Sequence, residues 1–475
     1  MSRGKYELEK AMCSGNLVLS RLVWVSLWLS IAAPLHAQTI SSPEEFKSPV
    51  AAKPFEAGDR VAFLGDSITA SGRYVHMLRL FYATRFPDRP LHLYNCGIGG
   101  ARAPSSLSRL DEDCLALDPN RVVVMLGMND ANGGKKNYQS AMTPIMDRIV
   151  EKPDCRPTLI ISSPYDNTAK IKARNKDGKN DKIRSFGQWL VDMGRQREVA
   201  VVDFNTPLLR VNEQRQKNDP AFSAIGPDRV HPGDHGHAVM TWSFLRAQGI
   251  TGPVARLVVD ATTNSVTAEN SKAGELKIAA DQVSFLYTPK ALPYPAEALP
   301  FDSPAEEWVP FTKDLNREWL LVQGLRKGRW SLSIDGEAVG QFSAKQLAAG
   351  IDLARESKSP SYRHSKEILA LANRIHESEQ NLRAIARVRW LLLEPLGIDL
   401  DDTARADAVV RDYVGKRPNH GYWQNRAEVF FRFRAPEKRK AEHALMERLM
   451  TRLYEINQPK PQQMKLHFAG EKLPN

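Results

Sequence analysis

The sequence predicts an α/β protein: a parallel β-sheet covered on both faces by helices, joined to a β-rich segment and a helical C-terminal region. Three observations predict it. Between Arg60 and about Ile250, short apolar runs alternate with stretches of helical spacing. After Thr251-Gly252-Pro253 the chain turns β-rich, and from about Ser343 it turns helical. The apolar runs at 61–64, 91–94, 122–126, 159–162 and 199–204 carry almost no polar residue, as strands buried on both faces should. Between the first two, Val75, Leu78, Phe81 and Tyr82 share one helical face. Alternating strands and helices of this kind form parallel sheets, whose functional residues gather past the C-terminal strand ends.

Beyond residue 251, Leu320-Leu321-Val322 and the run 330–334 read as strands, with a turn at Asp335-Gly336. Further on, Ile368, Leu371, Ala372, Ile375, Leu382, Ile385 and Val388 fall on one helical face, and 441–456 repeats the pattern. The Pro/Gln/Lys-rich end from 461 to 475 reads as a tail. The resulting division is a leader at 1–37, a linker at 38–57, an α/β domain at 58–250, a β-rich appendage at 251–345 and helices at 346–460.

At the N-terminus, Lys10 and Arg21 precede an apolar run of 14 residues at 22–35, too short to span a bilayer and suited to a signal peptide cleaved after Ala37. Met12 offers an alternative start. Secretion or export to the periplasm is therefore expected, with no membrane segment after cleavage. Loss of the leader removes Cys13 and leaves Cys96, Cys114 and Cys155, room for one disulfide such as Cys114 with Cys155. A length of 475 residues implies two or three packed units, and a composition 42% hydrophobic and 25% charged is that of a globular protein. The net charge of +11 favours anionic partners. Without zinc-finger spacing or an RNP-like stretch, it does not point to nucleic acid.

The strand ends carry the chemistry. The first run ends in Gly65-Asp66-Ser67-Ile68-Thr69, the second in Asn95-Cys96-Gly97-Ile98-Gly99-Gly100, and the third in Gly127-Met128-Asn129-Asp130. After the fifth comes Asp228-Arg229-Val230-His231-Pro232. Singly these are ordinary turn residues. Together, at one sheet edge, they supply what ester cleavage requires. A serine hydroxyl needs a base, which His231 can be, and Asp228 three residues earlier can hold its Nδ1. The Ser67 N–H, the Gly100 N–H and the Asn129 amide can then donate to the tetrahedral oxyanion.

These four segments resemble blocks one, two, three and five of the SGNH (GDSL-like) hydrolase superfamily over roughly 58–250. The resemblance implies a flavodoxin-like three-layer α/β/α sandwich and ester hydrolysis through an acyl-serine. It assigns Ser67 as nucleophile, Asp228 and His231 as the other triad members, and Ser67, Gly100 and Asn129 as the oxyanion hole. Gly100 fits the spacing from Asn95 best and Gly99 second. The region after 254, including Leu315-Asn316-Arg317-Glu318 and Ile334-Asp335-Gly336, is similar to C-terminal parts of large SGNH proteins from polysaccharide-degrading environmental bacteria, a resemblance that favours an acetylated carbohydrate as substrate. A lipid-directed esterase of lysophospholipase or thioesterase type is the alternative enzyme. A carbohydrate-binding protein without catalysis is the non-enzyme one. No cofactor is implied.

Three further features have two readings. His231, His235 and His237 with Asp228 could hold a metal, or His235 and His237 could pack at a helix start. The basic run Lys170, Lys172, Arg174, Lys176, Lys179, Lys182 and Arg184 is either a lid for an anionic substrate or a solvated loop. Trp308, Trp319 and Trp330 are either core or sugar platforms.

Overall fold

The computed structural model describes residues 44–298 and 305–471, so the leader at 1–37 lies outside the described residues. Five parallel strands form the first sheet: β1 (Arg60–Gly65), β2 (His92–Gly97), β3 (Arg121–Leu126), β4 (Arg156–Ile161) and β5 (Ala200–Asp203). Their order is β2-β1-β3-β4-β5, the flavodoxin-like order, with every pairing parallel. Val61, Leu64, Val122, Val124, Leu159 and Ile160 are fully buried, because helices cover both faces and leave no face for polar side chains. In this order the direction of winding reverses at β1, so the loops after β1, β2 and β3 meet at one crevice.

The rest of the chain builds a second body of strands and then returns. β6 (Ala255–Asp260), β7 (Ser265–Glu269), β10 (Glu318–Gln323) and β13 (Ile351–Asp352) form one sheet in the order β13-β10-β6-β7. β8 (Ser271–Ala279), β9 (Gln282–Pro289), β11 (Arg329–Ile334), β12 (Glu337–Ser343) and β14 (Gln462–Gly470) form another, in the order β12-β11-β14-β9-β8. Inward residues of both sheets share one core, including Leu257, Val259, Phe285, Leu320, Val322, Leu332 and Leu466. The period-two alternation along β11, with Trp330, Leu332 and Ile334 buried, is the signature of a sheet with one solvated face.

Two expectations change, and one open reading closes. The tail at 461–475 is in its described part a strand: β14 pairs on both sides, with β11 and β9, and buries Met464 and Leu466. Its composition misled because Lys465 and His467 alternate with the apolar residues and face solvent, while Gln462 is buried with them. The linker at 38–57 is, from 44 on, packed onto the domain. Phe55 lies in an aromatic cluster with Tyr82 and Phe244, and the Phe46 N–H donates to Asp203. Trp330 is core and no sugar platform, since it is 1% exposed. Trp308 packs edge-on against Phe222 and beside His235, and Trp319 stacks under Arg317.

The helical region packs directly on the α/β domain. The helix Pro360–Val388, 29 residues and so about 43 Å long, buries Ile368, Leu371, Ala372, Ile375 and Leu382 in the same core as β1 to β5. Arg79 and Glu379 form a buried pair across this junction at 2.8 Å, and Glu379 also accepts the Asn95 N–H at 2.9 Å. One end of this helix meets the β-sheets, where Ser361 donates to Glu318. The other end reaches the loop after β2, where Arg387 donates to the Gly99 carbonyl. No helix among the described residues is long and apolar enough to cross a membrane.

Candidate active site

Ser67 opens the short helix Ser67–Ala70 directly after β1. The preceding Asp66 caps it, its Oδ1 accepting the Ile68 N–H at 2.9 Å. The turn is tight: a Cβ on Gly65 would fall 2.1 Å from Thr69 Oγ1, and one on Gly97 2.3 Å from the Ala70 nitrogen. Only glycine at both places lets the loops after β1 and β2 close on each other. Asp66 is fully buried, and burial pushes its carboxyl up to about 6 against the opposing Ile68 N–H.

His231 comes from 164 residues away in sequence, yet its Nε2 lies 2.7 Å from Ser67 Oγ. On the other side of the ring, Nδ1 is 2.5 Å from Asp228 Oδ2. Asp228 Oδ1 also accepts the N–H groups of Val230 and His231, both at 2.9 Å. Partial burial drives the Asp228 carboxyl upward, but the bonds from the His231 side chain and the two backbone N–H groups outweigh it, so the group sits below its ordinary value. The structure thus brings Ser67, His231 and Asp228 into one hydrogen-bonded line. The side chains of His231 and Asp228 are 49% and 52% exposed, which makes the site open rather than tunnel-like.

The loops after β2 and β3 flank this line. Asn95 ties the second loop to the first, its Nδ2 donating to the Thr69 carbonyl at 2.8 Å and its Oδ1 accepting the Gly97 N–H at 2.8 Å. Gly100 has φ 84, in the left-handed region that favours glycine. Gly99 is glycine for a different reason, because a Cβ there would fall 2.0 Å from Arg387 Nη1. Asn129 donates one amide N–H to the Ala101 carbonyl at 3.0 Å. The amide carries two such donors, and this bond uses one of them. Asp130 joins the same two loops, accepting the Ala103 N–H at 2.9 Å, and burial raises its carboxyl despite such bonds.

Several site-forming residues escaped the sequence reading. Arg229 stands inside the quoted Asp-Arg-Val-His stretch, yet nothing in that pattern announces that it is 4% exposed and at φ 67. Its guanidinium donates to the carbonyls of Ala173, Asp166 and Ile171, pinning the His231 loop to the loop after β4. Arg387 had no local signal at all, being 288 residues from the loop it touches.

The two-way features now separate. His237 is 2% exposed and stacked on Tyr74, and burial lowers it to about 3. His235 lies against Trp308. Both belong to the helix Asp234–Ala247 and pack there. In the basic run, Lys179 is buried over the Tyr165 ring, and Arg184 holds Asn205, Thr206 and the Glu44 carbonyl, so these two are structural rather than parts of a mobile lid. The thiols of Cys96, Cys114 and Cys155 are all free and buried, and Cys114 contacts Cys96 rather than Cys155.

With this geometry in place, the comparisons are specific. Residues 63–239 match the GDSL-like Lipase/Acylhydrolase family. An acetylxylan esterase from Geobacillus stearothermophilus is 23% identical over 220 residues, which cover 41% of this chain and 95% of that protein. The solved structure of a gut microbial diltiazem-metabolizing enzyme is 32% identical with a TM-score of 0.80, covering 89% of this chain and 100% of that one. Coverage of that extent takes in the added sheets and helices as well as the α/β domain. The chain is a carboxylic ester hydrolase and belongs to the SGNH (GDSL-like) hydrolase superfamily.

Proposed function

We propose that this protein is a serine esterase that removes acetyl or other short acyl groups from carbohydrate, with Ser67 as nucleophile, His231 as general base and Asp228 as its orienting partner. The observation that carries the reading is the continuous line from Ser67 Oγ through His231 to Asp228, at 2.7 and 2.5 Å. Nε2 takes the hydroxyl proton as Oγ attacks the ester carbonyl, and Asp228 stabilises the imidazolium that forms. The oxyanion is held by the N–H groups of Ser67 and Gly100 and by the second Asn129 N–H. Collapse of the tetrahedral intermediate breaks the bond to the alcohol, which leaves with the proton from His231. Water, deprotonated by the same imidazole, then releases the acid and restores Ser67.

Two features support carbohydrate over lipid as the alcohol part. The His231–Asp228 pair is half exposed, and the Arg73–Asp234 ion pair lies at the start of the helix that follows it. Such an open polar rim suits a hydrated, bulky alcohol, whereas acyl chains are bound in apolar clefts. The acetylxylan esterase among the relatives points the same way. We further propose that the segment at 1–37 acts as a leader that exports this activity from the cytoplasm, which fractionation with N-terminal sequencing of the mature protein tests.

The test is a substrate panel: p-nitrophenyl esters of rising chain length beside acetylated xylan, pectin and alginate, with Ser67→Ala as control. Acetate release from a polymer that disappears in the control supports the reading. A preference for long acyl chains would replace it with the lipid-directed alternative, and undiminished activity in the Ser67→Ala variant would remove the nucleophile assignment.

A further inference from the structure

Gly99 and Gly100 share one peptide group, and that group is gripped from outside the α/β domain. Arg387, in the last turn of the helix Pro360–Val388, donates from Nη1 to the Gly99 carbonyl at 2.6 Å. On either side of the diglycine, Ile98 and Ala101 are buried against Ala386, with Trp390 and Leu391 packed around them. The guanidinium is itself held in place, its carbon lying 4.9 Å from the rings of both Tyr422 and Trp423. Directly beyond it the helix widens into a π-turn at Arg389–Leu393, a local irregularity that recurs at functional sites.

In a planar trans peptide the C=O of one residue and the N–H of the next point in opposite directions. Fixing the Gly99 carbonyl therefore fixes the direction of the Gly100 N–H. A charged donor on the carbonyl also polarises the peptide and strengthens the N–H as a donor at its other end. Two adjacent glycines would otherwise make this the least constrained peptide of the site. Burial lowers the Arg387 guanidinium from its ordinary value, so the charge is partly desolvated where it meets the carbonyl.

We propose that Arg387 is a positioning residue for ester hydrolysis, orienting and polarising the Gly99–Gly100 peptide so that the Gly100 N–H donates to the oxyanion. This rests on the reading of Gly100 as an oxyanion donor, and it makes the C-terminal helical region a working part of the active site.

The experiment compares the full chain with Arg387→Met, Arg387→Lys, Arg387→Ala and, separately, Ser67→Ala, using p-nitrophenyl acetate. Arg387→Met should lower kcat about tenfold, less than the 10²–10³ that loss of a whole donor costs, with KM changed less than twofold. Affinity for a tetrahedral boronate inhibitor should fall by the same factor as kcat/KM. Arg387→Lys should recover part of the loss, and guanidinium ion at non-denaturing concentration should restore kcat in Arg387→Ala but not in the wild type. A purely structural role would instead lower the melting temperature and leave boronate affinity and guanidinium rescue unmoved. Unchanged kcat in a folded Arg387→Met variant, with Ser67→Ala inactive, overturns this inference alone. Activity surviving Ser67→Ala overturns the nucleophile reading on which it stands.

Discussion

Arg229 and Asp166 are tied to each other twice: Arg229 Nη1 donates to the Asp166 carbonyl at 2.9 Å, and the Asp166 N–H donates to the Arg229 carbonyl at 3.0 Å. The loop bearing Asp228 and His231 has little regular structure, so its position depends on such ties. Asp166 is in turn fully buried, with bonds from Thr168, Ala169, Asn212 and Ser223. The half-exposed His231 is thus held from below by a buried, satisfied polar network.

Arg229→Ala should therefore damage both stability and rate. It leaves the buried Asp166 carbonyl and the partly buried Ala173 carbonyl without their donor, at a cost of about 2–4 kcal/mol. The freed loop lets the imidazole drift from Ser67, and misplacement on the scale of 1 Å costs roughly 10² in rate. Denaturant melts and kcat/KM on p-nitrophenyl acetate check the two effects. A fully active, fully stable variant would show that the loop is held by other contacts.

Substitution of Asn129 tests its proposed role as an oxyanion donor. Asn129→Ala should lower kcat by about 10²–10³ with KM moving only a few-fold. Asn129→Asp, which keeps the size but has no N–H to offer, should be at least as severe because its charge opposes the oxyanion. Steady-state kinetics of the two variants decide it. A loss confined to KM would assign Asn129 to substrate binding instead.

The α/β half of the fold was legible because its signal is local. Each of the first three strands is a short apolar run ending in Gly-bearing loops, and the chain order fixes where those loops meet. Ser67, Asn129 and His231 stand out as candidates for the same reason, since each sits in a compact segment of chemically apt residues. What escaped the reading was long-range. Nothing near Arg387 marks its meeting with Gly99, and nothing in 462–470 marks it as the strand between β11 and β9. Arg229 escaped because a buried arginine and a surface one look alike until the carbonyls around it are placed.

Glu318 gives the protein a pH-dependent term far from the site. Burial pushes its carboxyl up to about 7 from an ordinary 4.5, against the lowering bonds from Tyr287 and Ser361. The folded state therefore holds this proton more tightly than the unfolded chain does. The sign follows: the contribution is fully present below pH 4.5, is lost as pH rises through 7, and is flat above. Glu318→Gln keeps the acceptor but cannot ionise, so its melting temperature should gain on the wild type between pH 5 and 8. The shift corresponds to at most about 3 kcal/mol. Parallel pH–stability curves for the two proteins would mean that the carboxyl titrates alike in both states.

The pair Arg79–Glu379 tests whether the α/β domain depends on the C-terminal helix that covers it. Its side chains are 2% and 3% exposed, so each charge was taken out of water and is compensated by the other and by the Leu93 carbonyl and Asn95 N–H. Removing one partner strands the other, which for buried pairs costs about 3–5 kcal/mol. Glu379→Ala and Arg79→Met should both show that loss. Replacing both, as Arg79→Met with Glu379→Met, removes the stranded charge along with its partner. Its cost should then fall well below the sum of the single losses, giving a coupling of roughly 2 kcal/mol or more in a double-mutant cycle by urea melts. Additive losses would mean that the two charges are solvated independently. The helix would then be docked by its apolar face alone, through Ile368, Leu371, Ile375 and Leu382.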